Sequence, residues 1–590
     1  MSKKKNLVLI FNSIHLLKFI EIIYFKLVDF ILEKKFNKST IVIARNDKQN
    51  KYINYEINIS GIKCGKTSEE LNVLSFKFYK FLRQYGCQSR ILFGNVPLYN
   101  LYTRQIKLKL YDVIEAALQL HEWSMTKKNK EYRIISDAQT IDIIFKAFNF
   151  LELNNKKIIW DKKLTLTFLI KLNSVIMRLA AIIKIFLSKS SLPKKYYRKK
   201  INEKFPSILI TLPSKNPKVF LNSYVKKIKN LNIILYSLAD LQEKPDSYEV
   251  FNCEHKKKSF NGLFSFFGFN DVESYIVDTM LIYSEHVDLY ICTNVVEYIL
   301  NNEKIDILLN RQQVHVVNNH FVNEAKKLNV SIISDVFEEI YLCDAAILSC
   351  RANLTKLTKF VLGSSPYVIR GVNEFVRYRL FELNTIKKNY IKNLLGIEEK
   401  KKVIFYASDP LKQERQRYDA ELFLINKISS HKNYYLVVKI HPQDSGEISS
   451  LAFNQSNKPK NVKLIKDKVQ KHQVKINNFY TFDSFDFNAA LASSDGFITS
   501  HSSSVLQALS LNIKIGILDM VRHNNFRPMI DYGGAVLIKD SNSLKYFLDQ
   551  DKIFIPSDLL KFYGLDTEKS HDFNLTKNIL KLSALRRNIK

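Results

Sequence analysis

The chain has 590 residues, a length that exceeds a single hydrophobic core and predicts two to four domains. Hydrophobic residues make up 46% of it, and Gly and Pro are scarce, which excludes collagen-like and low-complexity proteins. The net charge of +33 indicates attraction to polyanions such as nucleic acid, anionic lipid or nucleotide-linked substrates, although Lys, Asn and Ile are dense throughout, as is typical of AT-rich coding sequence.

Cysteine usage and the N-terminus both favour a cytoplasmic protein. None of the six cysteines has CxxC spacing and no His cluster accompanies them, so neither a zinc site nor a disulfide framework is predicted. The first residues resemble a signal peptide, but they lack a small-residue cleavage site and charged residues soon follow. We therefore expect the chain to stay in the reducing cytosol.

Residues 1–187 predict an N-terminal α/β, Rossmann-like domain. Its strands are expected at 6–11, 40–44, 90–93 and 132–135, and its helices between the first two strands and at 68–83, 108–124 and 140–150. The stretch 164–187 is long enough to span a bilayer, but Lys171, Arg178 and Lys184 interrupt it, each at a cost of about 2.5–3.5 kcal/mol near the membrane centre. It therefore predicts an amphipathic helix, either packed on the domain or lying on a membrane surface.

Residues 188–204 predict a basic linker, in which Lys and Arg surround Tyr196 and Tyr197. An apolar helix followed by such a cluster is a candidate contact for anionic lipid. A solvated connector between two domains is the alternative.

A second α/β unit is predicted over residues 205–395. Its strands are expected at 207–212, 232–236, 287–292, 314–317, 330–334, 345–348 and 365–370, and its helices at 319–328, at 374–392 and up to residue 362. Asp335 and Glu338 follow strand 330–334, which places them at the carboxyl edge of the sheet, where ligands bind in open α/β folds. Both are candidates for a general base, and His320 is another. The alternatives are that Asp335 caps a short helix and that His320 caps its own helix.

A third α/β unit is predicted over residues 396–590. Its strands are expected at 402–407, 435–440, 496–499, 514–518 and 535–538, with helices at 415–429, 488–493 and 505–511. Lys439 lies near the end of one strand, and His441 and Pro442 terminate it. Asp409 lies in the loop after the first strand of this unit.

A Ser-rich loop follows strand 496–499 and opens the helix that begins at residue 505. Ser502, Ser503 and Ser504 supply hydroxyls there, with Ser504 as the expected cap of the helix. A His and several hydroxyls at a helix N-terminus suit a ligand that carries phosphate. A surface His-Pro turn and an ordinary Ser-capped helix are the alternative.

The order of these motifs, a strand ending in acidic residues, then HP, then a Ser-rich loop opening a helix, resembles a group of bacterial GT-B glycosyltransferases. The group comprises sialyltransferase-like, polysialyltransferase-like and capsule or surface-carbohydrate enzymes, and the opening NLVLIFNSIHLLKFIEII is similar to their start. The resemblance implies two facing Rossmann-like units over residues 205–590, in addition to the N-terminal domain. It also implies that His441 and the Ser motif hold the nucleotide phosphate and that an acidic residue is the base. Gln507 stands where such enzymes often carry a ribose-binding Glu, and the acidic-acidic-Gly motif lacks its Gly.

These observations together predict an inverting, metal-independent glycosyltransferase without a cofactor. Its co-substrate would be a CMP- or UDP-linked sugar, sialic-acid-like by the resemblance, and its acceptor a surface glycan or glycolipid. Lys439, His441 and the Ser motif would stabilise the leaving phosphate. We expect it in the cytoplasm, peripheral at the inner face of the membrane. The alternatives are a non-catalytic membrane-surface component of polysaccharide assembly and a basic nucleic-acid-binding protein, although no nucleic-acid-binding motif appears.

Overall fold

The computed structural model describes residues 5–10, 40–44, 64–84, 92–93, 96–97, 102–126, 132–136, 138–153, 158–162, 164–187, 195–212, 221, 225–238, 241, 245, 247–253, 260–261, 272, 275, 295–310, 315–336, 343–348, 350–369, 389–408, 414–441, 446–467, 480–482, 486–500, 502–519, 526–551, 553–565 and 575–589. The chain divides into two compact units. Unit 1 comprises Met1–Leu348, Asn353–Ile369 and Phe573–Lys590, and unit 2 comprises Ser349–Ala352 and Arg370–Asp572.

The described strands, in chain order, are β1 Lys5–Ile10, β2 Thr40–Ala44, β3 Leu92–Phe93, β4 Val96–Pro97, β5 Tyr132–Ser136, β6 Ile158–Lys162, β7 Lys195–Lys199, β8 Ser207–Leu212, β9 Asn232–Ser237, β10 Glu249–Asn252, β11 Phe260–Asn261, β12 Ile307–Asn310, β13 Ser331–Val336, β14 Ala345–Leu348, β15 Tyr367–Ile369, β16 Lys402–Ala407, β17 Tyr434–Lys439, β18 Val462–Asp467, β19 Tyr480–Phe482, β20 Gly496–Thr499, β21 Ile515–Leu518 and β22 Val536–Ile538. The described α-helices are α1 Ser68–Gln84, α2 Thr103–Thr126, α3 Ala138–Phe150, α4 Leu164–Leu187, α5 Val316–Lys327, α6 Lys356–Leu362, α7 Tyr390–Leu395, α8 Glu414–Ser429, α9 Glu447–Gln455, α10 Phe487–Ala492, α11 Val505–Ser510, α12 Arg527–Asp531, α13 Ser541–Asp549, α14 Ser557–Phe562 and α15 Leu575–Ile589.

The N-terminal sheet of unit 1 is parallel, with the strand order β2-β1-β5-β6. Strands β1, β2 and β5 and helices α1 to α4 fall where the apolar pattern predicts them, whereas β6 was not predicted. The helix expected between β1 and β2 lies outside the described residues. The predicted strand at 90–93 shrinks to the two-residue β3, which pairs antiparallel with β4 and β11.

The central sheet of unit 1 has eight strands in the order β10-β7-β9-β8-β12-β13-β14-β15. The six strands β9-β8-β12-β13-β14-β15 each run parallel to their neighbours in this part of the sheet. Buried side chains form one core on each face of the sheet. The strand order reverses between β8 and β12, which is the doubly wound pattern of a Rossmann-like unit.

The basic linker prediction is wrong for residues 195–199, because they form β7, an antiparallel partner of both β9 and β10. Tyr196 and Tyr197 are buried, and the Tyr196 hydroxyl donates to Glu303 Oε1 at 2.7 Å. Arg198 lies 4.2 Å from the ring centre of Phe251 and pairs with glutamates on β10 and near β12. The tyrosines supply enough apolar surface for a strand that carries three cationic residues.

The strand predicted at 314–317 is also wrong, since α5 begins at Val316 and the strand is β12, at Ile307–Asn310. His315 is the N-cap of α5, and its Nδ1 accepts a hydrogen bond from the Val317 amide. Val316 and Val317 lie on α5 and are buried. A short, mainly apolar run such as 314–317 therefore does not distinguish a helix from a strand. The strand predicted at 287–292 lies outside the described residues.

The C-terminal helix α15 belongs to unit 1 and not, as predicted, to the unit that begins at residue 396. Arg586 Nε lies 3.0 Å from Asp344 Oδ2, and its Nη1 donates to the Asn329 carbonyl. Ser583 Oγ donates to Ser331 Oγ at 3.2 Å. The apolar face of α15 covers one face of the central sheet, which places it there despite its distance along the chain.

Unit 2 is a seven-stranded parallel sheet in the order β19-β18-β17-β16-β20-β21-β22. The order reverses between β16 and β20, and each face of the sheet buries its own apolar core. The predicted α/β, GT-B-like fold class is therefore confirmed in its elements, with two Rossmann-like units and an additional N-terminal sheet. None of the helices in the described part of the chain is long and apolar enough to cross a membrane.

Candidate functional site

Three adjacent strands of unit 2 end at the same level of the sheet. Ala407 of β16 is in register with both Lys439 of β17 and Thr499 of β20, so Ser408, Ile440 and Ser500 are the next residues on the three strands. The order of the sheet reverses between β16 and β20, and a reversal opens a crevice at the carboxyl edge, where ligands of such sheets bind. Ile440, which precedes His441 of the predicted HP motif, and Ser500, which precedes the Ser-rich loop, therefore both lie at this edge of the sheet.

The Ser-rich loop folds on itself through its own hydroxyls. The Ser502 amide donates to Thr499 Oγ1 at 2.9 Å, Ser502 Oγ donates to Ser504 Oγ at 3.1 Å, and the Ser504 amide donates to Ser502 Oγ at 3.3 Å. Ser503, between them, is exposed. Thr499 and Ser502 therefore set the shape of the loop, and Ser503 presents its hydroxyl to solvent.

The predicted capping role of Ser504 is wrong in one respect. Ser504 occupies the N-cap position of α11, but its backbone is helical and its side chain makes no capping hydrogen bond. Helix α11 has only six residues, so its dipole adds little to the attraction of an anion. Binding at this loop would depend on hydroxyls and on individual backbone N–H groups.

Two buried polar atoms near this loop have no hydrogen-bond partner among the described residues. They are Ser500 Oγ, just after β20, and Gln507 Oε1, on the third residue of α11. Buried polar groups are nearly always satisfied, so these two atoms are positions at which a water or a ligand atom can form a hydrogen bond. Ser500 was not singled out from the sequence, because a hydroxyl one residue before a Ser motif carries no separate signal.

The HP segment is described only in part. His441 is half-buried directly after β17 and Ile440, whereas Pro442 lies outside the described residues, as does Asp409. Lys439 is 6% exposed, and its Nζ donates to the neighbouring Ile440 carbonyl at 3.3 Å. Its ammonium group therefore lies at the carboxyl edge but is oriented by a backbone oxygen.

A buried ion pair lies beneath the strand-end loops of unit 2 and was missed by the sequence analysis. Arg417 Nε lies 2.8 Å from Glu421 Oε1, and both side chains are almost fully buried on α8. Ser408 Oγ donates to Glu421 Oε1 at 3.0 Å, and Arg417 Nη2 donates to Ser449 Oγ at 3.0 Å. The spacing of four residues was visible in the sequence, but such pairs are usually exposed on helices and carry little signal.

In unit 1, Asp335 is the fifth residue of β13, not the first residue of a loop as predicted. It is in register with Ile347 of β14 and is 2% exposed. Its Oδ2 atom has no hydrogen-bond partner in the part of the chain that the structure describes. A strand position also rules out the helix-capping alternative for Asp335. A buried carboxylate oxygen without a partner is costly and typical of functional positions.

His320 lies on the other face of this sheet. It belongs to α5, whose apolar residues pack with Ile332, while Asp335 follows the alternate side of β13 with Ile333. His320 is buried, 3.9 Å from Glu324 Oε1. The predicted capping alternative is wrong for it, since His315 is the cap. Asp335 and His320 are thus not brought together, and Glu338 lies outside the described residues.

Polar side chains continue across the carboxyl ends of β8, β12 and β13 on the face of α5. Thr211 Oγ1 donates to Asn310 Oδ1 at 3.2 Å, and Ser334 Oγ donates to the Asn310 carbonyl at 3.3 Å. Asn310 Nδ2 in turn donates to the Asn318 carbonyl at 3.4 Å. No group of three or more His, Cys, Asp or Glu able to hold a metal ion occurs among the described residues.

Comparisons with known proteins identify no family. No protein-family model matches the chain, and no curated protein does. Similar solved structures include the S. aureus MnaA-UDP co-structure, with a TM-score of 0.40 and 13% identity over 65% of this chain and 98% of that one. They also include the UDP-GlcNAc 2-epimerase from Neisseria meningitidis bound to UDP-GlcNAc (0.36, 10%, 64% and 100%) and a glycosyltransferase from Rickettsia africae (0.37, 11%, 65% and 94%). Similarity at this level does not extend to function.

Proposed function

We propose that the protein is a glycosyltransferase of GT-B-like organisation that uses a nucleotide-sugar donor, and that unit 2 binds the nucleotide. The observation that carries this proposal is the carboxyl edge of unit 2. There the reversal of strand order coincides with the Ser-rich loop, His441 and the oxygen atoms of Ser500 and Gln507 for which the described residues supply no partner. Hydroxyl, imidazole and amide groups are the donors and acceptors that a nucleotide phosphate and ribose require.

The chemistry of the donor half follows from these groups. Departure of the sugar leaves negative charge on phosphate oxygens, which donors already in place stabilise. Ser503 and His441 are the proposed phosphate contacts, with Lys439 adding positive charge nearby. Gln507 is the proposed ribose contact, because its side-chain amide both donates and accepts hydrogen bonds.

Asp335 is the proposed general base in unit 1. It would accept the proton of an acceptor hydroxyl and thereby favour inversion at the sugar carbon. The oxygen of Asp335 that has no described partner supports this assignment over His320, which is buried in the core on α5. Glu338 remains the second candidate. The proposed acceptor is a surface glycan or glycolipid, and the proposed donor sugar is CMP- or UDP-linked, sialic-acid-like by the sequence resemblance.

We also propose that α4 attaches the protein to the inner face of the cytoplasmic membrane. Large apolar side chains repeat along the helix and face solvent: Leu164, Phe168, Leu172, Leu179 and Ile183 are 87%, 66%, 40%, 45% and 55% exposed. Lys171 is exposed beside them, which suits anionic headgroups. Arg178, on the same helix, is buried and does not share the exposure of Lys171.

The proposed function is tested by offering the purified full-length chain a panel of CMP-, UDP- and GDP-sugars, with and without EDTA. Slow hydrolysis of one nucleotide class, unchanged by EDTA, is the expected result. Absence of hydrolysis together with absence of nucleotide binding by calorimetry would reject the donor site. If the chain binds a nucleic acid that is added at physiological salt in the same calorimetry, the alternative of a basic nucleic-acid-binding protein would be favoured.

A further inference from the structure

The ion pair between Arg417 and Glu421 joins the end of β16 to the first turn of α9, two parts of unit 2 that are far apart in sequence. Its Glu421 end accepts a hydrogen bond from Ser408, the residue that follows β16. Its Arg417 end donates to Ser449, in the first turn of α9, which follows the HP segment. The four side chains thus form one buried series of polar contacts from the end of β16 to the start of α9.

Stability alone does not account for this arrangement. Arg417 is 2% and Glu421 is 1% exposed, and withdrawing two charges from water offsets most of their mutual attraction. Packed apolar residues of similar volume would stabilise the same position as well or better. The ion pair instead fixes the orientation of two hydroxyl groups. Glu421 orients that of Ser408, after β16, and Arg417 orients that of Ser449, on α9.

We propose that Arg417 and Glu421 are positioning residues for the nucleotide site of unit 2. Through Ser408 they hold the end of β16, on one side of the reversal in strand order. Through Ser449 they hold the start of α9, the first described helix after His441. This inference rests on the proposed function for its consequence, nucleotide affinity, but its structural part stands independently of any ligand.

The test replaces the pair by apolar residues, Arg417→Met with Glu421→Leu, in the full-length chain. Amide hydrogen exchange is measured on peptides covering residues 402–413 and 438–450, together with the melting temperature and the Kd for CMP, CDP, UMP and UDP. We expect faster exchange in both peptides and a Kd raised about 10-fold, at a melting temperature within about 3 °C of the wild type. Unchanged exchange in both peptides would overturn the proposal.

Single variants separate the two ends of the chain of contacts. Ser408→Ala should speed exchange only in the first peptide, and Ser449→Ala only in the second. Asn461→Ala is the matched control, because Asn461 donates to three backbone carbonyls at the opposite edge of the same sheet. It should lower the melting temperature and leave both peptides and the Kd unchanged.

The outcomes for the two proposals remain distinct. A wild type that binds none of the four nucleotides would reject the donor site, while the exchange data would still decide whether the pair holds the loops. Faster exchange in the double variant with an unchanged Kd would show that the loops are held but do not bind nucleotide, which overturns the positioning role. If a lower melting temperature of the double variant fully accounts for its faster exchange, the pair would be assigned to general stability.

Discussion

Asp335 and His320 lie on opposite faces of the central sheet of unit 1, although both are near its carboxyl edge. Asp335 shares its side of β13 with Ile333, and His320 packs from α5 on the side of Ile332. The proposed base and its alternative therefore occupy different environments, and substitutions distinguish them.

The first prediction is that Asp335→Asn lowers turnover about 10²- to 10⁴-fold. Asn keeps the volume of Asp335 but cannot accept a proton, so donor affinity and melting temperature should be nearly unchanged. Steady-state kinetics, calorimetry and thermal melting measure the three quantities. His320→Asn is the control and should cost stability more than turnover, because the ring is buried in the core. Full activity of Asp335→Asn would transfer the role to Glu338.

The second prediction concerns the phosphate contacts. His441→Ala and Ser503→Ala should each weaken nucleotide binding by roughly 1.5–3 kcal/mol, or about 10- to 100-fold, because each removes one hydrogen bond to a charged group. Ser503 is exposed, so its removal should leave the melting temperature unchanged. Ser510→Ala is a matched control, since Ser510 bonds only to the Gln507 carbonyl within its own helix in the described contacts. Equal affinity in all three variants would contradict the site.

The third prediction uses Lys514, whose Nζ donates to the Leu548 and Gln550 carbonyls at the other edge of unit 2. Burial lowers the pKa of Lys514 from 10.5 to about 8, and the charge of Lys402 acts in the same direction. Between pH 8 and pH 10.5 the unfolded chain therefore binds more protons at this residue than the folded one, so its contribution to stability rises with pH. The difference in melting temperature between wild type and Lys514→Met should shift in favour of the wild type as pH rises from 7.5 to 10.

Lys402→Met provides a second variant for this pH series. Because the charge of Lys402 helps to lower the pKa of Lys514, its removal should move that pKa part of the way back toward 10.5. The difference in melting temperature between wild type and Lys402→Met should therefore shift in the same direction as for Lys514→Met, but by less. A difference for Lys514→Met that stays flat across the series would show that Lys514 keeps its proton in the folded protein.

The fourth prediction is that the exposed face of α4 carries membrane binding. Flotation with anionic liposomes at low salt should recover the wild type, whereas high salt or neutral lipid should reduce recovery. Phe168→Glu with Leu172→Glu should abolish recovery. Phe554→Glu is the control, because Phe554 is 83% exposed but lies in unit 2, outside the exposed face of α4. If the wild type is a dimer in solution and the double variant is a monomer, the exposed face of α4 would instead bind a second copy of the chain.

The sequence alone located most of the regular structure. Strands β8, β14, β16 and β20 and helix α4 fall where continuous apolar runs or apolar periodicity place them. Strands of parallel sheets are buried on both faces, so they appear as uninterrupted apolar runs and are recognised without knowledge of their neighbours. The HP and Ser motifs were found for the same reason, because each follows such a run.

Only the tertiary structure decided the features that depend on contacts between distant segments. Residues 195–199 are basic and become a strand because Tyr196 and Tyr197 find a buried place beside β9. Helix α15 joins unit 1 because the central sheet offers an apolar face to cover. The burial of Arg417 and Glu421 depends on Ser408 and Ser449, which contact α8 from distant positions in the sequence. Local pattern carries propensity and periodicity, whereas burial and partner choice arise from long-range packing that one sequence does not display.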